Sequence, residues 1–223
     1  MTPVRTETDE LSNLVGREIF GAILSGRFPE GSVLPNEITL AEQLSVSRTA
    51  LREAIKGLAA KGLLASRRRR GTLVLDRRQW NMLDADIITW FRLFGSRSLS
   101  RELWDALVAV LPTLAEAAAR DRRGEGLTRF AAAMTRTEGA DRLAARLGFV
   151  DQLAEACGNR FLANLARATS ANLLREDPEF LENALARVDA AFAVSLADAV
   201  SHGNVSRARQ LMTSLTEPVG ALA

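Results

Sequence analysis

The sequence predicts a mainly α protein with one small β-hairpin in its N-terminal third. Three observations carry that reading. Apolar residues recur at three- and four-residue spacing through nearly the whole chain. A single stretch, 63–75, reads instead as two short strands flanking the arginine run Arg67, Arg68, Arg69 and Arg70. The breaks between apolar runs are short and rich in glycine and polar residues. The 223 residues suffice for one large or two small domains, and a 47 % hydrophobic content excludes global disorder.

Leu11, Leu14, Val15, Ile19, Ala22 and Ile23 share a helical face and predict a first helix over 9–25. Gly26 and the turn Pro29, Glu30, Gly31 end it, and Ser32, Val33 and Leu34 read as a short extended piece. Asn36 is the expected N-cap of a second helix over 37–44. A turn of Ser45, Val46 and Ser47 follows, and Ser47 caps a third helix running to about residue 61. On that helix Ala50, Leu51, Ala54, Ile55 and Leu58 form an apolar stripe, while Arg48, Arg52 and Lys56 recur on another face. Gly62 stops the helix, and strands are expected over 63–65 and 72–75. Residues 66–71 form the loop between them, with Gly71 for the turn.

From Asp76 the pattern changes, and Arg77 and Arg78 read as a polar hinge before a helix over 80–94. Further helices are predicted over 98–122, 125–137, 140–157, 160–176, 179–202 and 204–217, an all-α bundle of six to seven helices. The organisation is thus an N-terminal domain over 1–76, a linker and connecting helix over 77–96, and a helical domain over 97–223.

Charge separates the two ends. Residues 1–78 carry 13 basic and 9 acidic side chains, net +4, whereas 79–223 carry 16 and 18, net −2. Two short helices joined by a three-residue turn, the second with a basic face, followed by a basic hairpin, predict a winged helix-turn-helix that binds double-stranded DNA. Arg48 and Arg52, one turn apart, enter a major groove together, where an arginine bonds a guanine edge bidentately. Ser47 and Thr49 at the helix start reach phosphates or bases. Four arginines at a hairpin tip repel one another unless an anion neutralises them, so Arg67, Arg68, Arg69, Arg70 and Gly71 read as a wing against the DNA backbone or minor groove. The competing reading leaves both basic features simply solvated.

Scarce residues limit the chemistry. One histidine, His202, one cysteine, Cys157, and no tyrosine exclude an intramolecular disulfide, a CxxC site and a multi-histidine metal site. No glycine-rich phosphate loop or nucleophile elbow is present, which argues against a helical enzyme with a DNA-binding appendage. No apolar run approaches the roughly 20 residues of a membrane span. The polar N-terminus lacks a signal sequence, so the expected compartment is the cytoplasm and Cys157 is a free, structural thiol. His202 reads as a helix-end cap or an exposed residue. Trp80, Trp90 and Trp104 read as packing between the two domains, and Phe149, Phe161 and Phe192 as core.

Several motifs together resemble the N-terminal winged helix of GntR-family bacterial regulators. They are Gly26–Gly31, Leu34–Pro35, Leu40–Ala41, Val46–Thr49, Leu51–Ala54 and Gly71–Thr72. That resemblance implies that Arg48, Thr49 and Arg52 contact operator DNA and that the wing enters the minor groove. Some relatives carry a further DNA-contacting arginine where this chain has Ile38. The helical half resembles the FCD effector domain of the FadR subfamily, on the segments 153–159 and 199–204, and the linker 79–90 is similar to that of galactonate-operon repressors. The resemblance implies a cytoplasmic homodimer, a palindromic operator and a small carboxylate or sugar acid as effector. Many FCD domains hold a divalent metal. The corresponding positions here are Arg146, Val150, Ala193 and Leu215, and the pocket pair falls on Leu107 and Leu111, so no metal or cofactor is expected. Arg146 either presents its charge to a carboxylate effector or faces solvent or an acid beside an apolar-filled pocket. With the pocket degenerate, the alternative is a ligand-independent dimeric regulator.

Overall fold

The computed structural model describes residues 7–96, 98–136 and 141–215. These fall into two compact units divided after Ser96. The first holds helices α1 (Glu7–Leu24), α2 (Glu37–Leu44) and α3 (Arg48–Ala60), strands β1 (Leu64–Arg67) and β2 (Gly71–Val74), and helix α4 (Ala85–Leu93). The strands pair antiparallel, Leu64 opposite Val74 and Arg67 opposite Gly71. The extended piece 32–34 lies along β2, Leu34 N donating to Thr72 O at 2.8 Å and Val74 N to Ser32 O at 2.9 Å.

Val15, Ile19, Phe20, Leu51, Leu58, Leu63, Trp80 and Trp90 belong to one buried cluster in this unit. The buried face of α1 is rotated from the predicted stripe. Leu11 and Leu14 are 43 % and 47 % exposed, while Phe20 is fully buried. The helix expected over 80–94 begins only at Ala85, because Asp84 caps it by accepting from Asp86 N and Ile87 N. Trp80 lies outside it, its indole donating to Leu75 O at 3.1 Å. Phe20 packs against Trp80 and Trp90, ring centroids 5.8 Å and 5.4 Å apart. These two tryptophans therefore fill the core of the N-terminal unit.

The second unit comprises α5 (Leu99–Arg120), α6 (Glu125–Met134), α7 (Arg142–Ala156), α8 (Arg160–Glu176), α9 (Pro178–Ala184), α10 (Ala190–Ser201) and α11 (Val205–Ser214). Helix α5 is its spine and packs against α7, α8, α10 and α11. The single helix expected over 179–202 is two, because Asp189 starts α10 by accepting from Phe192 N at 2.8 Å. Phe149 and Trp104 are buried. Phe192 is half-buried. Phe161, expected in the core, is 76 % exposed. It sits in the first turn of α8, where its ring faces the Arg160 guanidinium at 5.4 Å. Among the described residues, no helix is long and apolar enough to cross a membrane.

Candidate nucleic-acid interface

Local caps set the geometry of the helix-turn-helix. Asn36 starts α2 by accepting from Ile38 N and Thr39 N at 3.1 Å and 3.0 Å. Ser45 ends it in the left-handed conformation, φ 55°, and turns the chain. Ser47 then starts α3, its hydroxyl accepting from Ala50 N at 3.1 Å. The expected turn and both expected caps are in place.

Helix α3 buries Ala50, Leu51, Ala54, Ile55 and Leu58. Ser47, Arg48, Thr49, Arg52 and Lys56 are exposed. The N-terminal end of α3 carries no acidic residue in its first turn, so its free backbone N–H groups and dipole favour an anion there. Two of these side chains have acidic partners, Glu37 and Glu53, that sequence spacing did not single out. The Arg52 Nε donates to Glu37 Oε2 at 2.6 Å, across 15 residues of chain. The Lys56 ammonium lies 2.8 Å from Glu53 Oε1.

The wing is tighter than expected. Arg67 belongs to β1, and only Arg68, Arg69 and Arg70 form the turn, closed by Arg70 N donating to Arg67 O at 3.0 Å. Gly71 is left-handed at φ 85°, and so is Arg69 at φ 65°. All four arginines are exposed. Among the described residues none of them has an ion-pair partner. A concavity of about 480 Å³ beside the wing is lined by Gly31, Val33, Arg67, Arg70 and Leu73.

Behind the wing, Arg77 pairs with Glu30 at 3.1 Å and lies over the Trp80 ring. Asp76 accepts from the Arg78 side chain and backbone, which holds its carboxyl at about 2. The expected hinge is thus a bonded segment.

In the second unit, Leu107, Leu111, Val150, Ala193 and Leu215 are all buried. Of these, Val150 borders a groove of about 190 Å³ between α7 and α8, with Leu147, Ala154, Ala166 and Leu174. Arg146 donates to the backbone carbonyls of Val188, Glu182 and Ala186 at 3.3, 3.4 and 3.3 Å. It closes the break between α9 and α10, a role that neither sequence reading of Arg146 contained. One guanidinium and three aliphatic side chains do not fit a divalent metal. Among the described residues, no group of three or more His, Cys, Asp or Glu is placed to hold a metal ion. His202 caps α10, its Nδ1 lying 2.9 Å from Asp198 O. Cys157 is a buried free thiol.

Comparison with known proteins bears on the first unit most strongly. The family model described as bacterial regulatory proteins, gntR family, matches residues 11–74. The chain is 46 % identical over 81 residues to the uncharacterized HTH-type transcriptional regulator YieP of Escherichia coli K12, covering 36 % of this chain and 35 % of that one. It is 34 % identical over 110 residues to the galactonate operon transcriptional repressor of the same organism, covering 46 % of each. It is also 34 % identical over 169 residues to the uncharacterized HTH-type transcriptional regulator Rv0494 of Mycobacterium tuberculosis H37Rv, covering 74 % of this chain and 68 % of that one. The chain spans about half or less of the length of the first two relatives.

Proposed function

The chain belongs to the gntR family of bacterial regulatory proteins, and we propose that it is a sequence-specific DNA-binding transcription regulator, acting as a dimeric repressor in the cytoplasm. The observation that carries this reading is the pairing of two exposed basic elements in one unit. Helix α3 presents Ser47, Arg48, Thr49 and Arg52 at its N-terminal half. The adjoining wing presents four arginines without ion-pair partners among the described residues. The helix reads bases in the major groove, and the wing neutralises phosphates or lies in the minor groove. A two-fold dimer matches two half-sites about one helical turn apart. An enzymatic role is not part of this reading.

A second reading concerns the helical unit. The Arg146 guanidinium is engaged with three backbone carbonyls, and the aligned pocket positions are buried aliphatic side chains. That favours a unit that serves dimerisation over one that captures a carboxylate at Arg146. A thermal-shift screen of small carboxylates and sugar acids separates the two. Stabilisation that disappears in Arg146→Met would favour the carboxylate effector.

The DNA reading is tested by enrichment from a random duplex pool of about 40 base pairs, long enough for two half-sites. Affinity for the enriched duplex is then measured against salt. Each neutralised phosphate steepens the log–log slope by about 0.9. Enrichment of a palindrome with a steep slope supports the reading, and a salt-independent affinity would sink it.

A further inference from the structure

The contact between Arg52 and Glu37 has a direction that matters for reading DNA. Arg52 stands on the exposed face of α3 with its side chain 62 % exposed. Glu37 lies in the first turn of α2, its own side chain 42 % exposed. Its Oε2 accepts the Nε hydrogen of Arg52 at 2.6 Å. The two Nη groups have no other partner among the described residues. A guanidinium held at Nε keeps its outer fork of Nη donors free, and that fork matches the O6 and N7 acceptors of guanine.

The carboxylate also changes what else Arg52 can do. An arginine free to swing beside DNA bonds phosphate as readily as a base edge, and phosphate contacts carry no sequence information. Glu37 brings a negative charge to the same face, which disfavours an approaching phosphate and ties the guanidinium to one orientation. A purely structural duty for Glu37 is already partly met elsewhere. Asn36 satisfies the N–H groups of Ile38 and Thr39, and the dipole benefit of an acid in that turn needs no contact with Arg52.

We propose that Glu37 is a positioning residue that aims Arg52 at a guanine and so sets base preference at one position of each half-site. This rests on the DNA-binding reading above. It predicts that Glu37 lowers affinity for non-specific DNA while raising discrimination.

The test is enrichment from the same random duplex pool with wild type, Glu37→Ala, Glu37→Gln, Arg52→Ala and the Glu37→Ala, Arg52→Ala double variant. Binding to one fixed non-enriched duplex is measured alongside. Glu37→Ala is expected to reduce discrimination at one position per half-site by about tenfold, the scale of a bidentate contact. It is also expected to bind the fixed duplex more tightly. Glu37→Gln is expected to keep the preference, because its amide oxygen still accepts from Nε. With Arg52 absent, removing Glu37 is expected to leave base preference where Arg52→Ala put it.

Wild-type preference retained by Glu37→Ala at every position would overturn this inference alone. So would the same loss of preference in the Arg52→Ala background. A wild-type protein that enriches no sequence would overturn the DNA-binding reading, and this inference with it.

Discussion

Lys61, just past the end of α3, places its ammonium 2.7 Å from Asp84 Oδ1 and 2.9 Å from Asp86 Oδ2. The three side chains are only 19 %, 22 % and 26 % exposed. Asp84 is also the N-cap of α4, and Lys61 O accepts from Asn81 N at 2.9 Å. Helix α3 and the last helix of its unit are therefore fastened at one point.

Lys61→Met is expected to destabilise the N-terminal unit by about 1–2 kcal/mol once solvent screening is allowed for. Urea denaturation followed by far-UV circular dichroism measures it. Burial lowers the Lys61 pKa, but the hydrogen bonds and charges of Asp84 and Asp86 outweigh it and hold it above 10.5. The stabilisation is therefore complete below the unfolded value and fades as pH rises through the folded one. Wild type and Lys61→Met should differ equally at pH 6 and pH 8, and converge only in strong alkali, above about pH 10.4.

Arg146→Ala is expected to cost about 1–3 kcal/mol, since it strips three carbonyls at the α9–α10 break of their donor. The loss belongs to the helical unit, so amide exchange should quicken around 182–188 and leave α3 unchanged. An Arg146→Ala protein as stable as wild type would show the bonds to be idle.

Arg69 occupies the left-handed region at φ 65°, which costs a non-glycine residue about 1 kcal/mol. Arg69→Gly is expected to stabilise the wing by up to about that amount. The same change is expected to weaken DNA binding and flatten its salt slope by about 0.9 if Arg69 meets a phosphate. Gain of stability with loss of affinity marks a strained residue kept for its charge.

The local parts of the fold were legible because they rest on local chemistry. Asn36 and Ser47 each bond backbone N–H groups two or three residues on, and such caps announce themselves in sequence. The start of α4 carried the same signal in Asp84, but the apolar spacing from Trp80 onward masked it. Trp80 is apolar because it fills the core against Phe20, 60 residues earlier, and periodicity does not distinguish that from a helix face. The break before Asp189 was likewise marked by a cap. Long-range contacts were not legible. Glu37 reaches Arg52 across 15 residues, and Arg146 reaches Val188 across 42. Both depend on how elements pack, which no spacing in one sequence specifies.

The most direct measurement is the affinity of Arg48→Ala for the duplex enriched by wild type, set against its affinity for a non-enriched duplex. Arg48 is exposed in the first turn of α3, so its removal should leave the fold intact by circular dichroism. Specific affinity is expected to fall by roughly tenfold or more, the scale of one bidentate base contact. Non-specific affinity should fall far less. A folded Arg48→Ala protein that retains the wild-type ratio of specific to non-specific binding would overturn the assignment of α3 as the element that reads DNA.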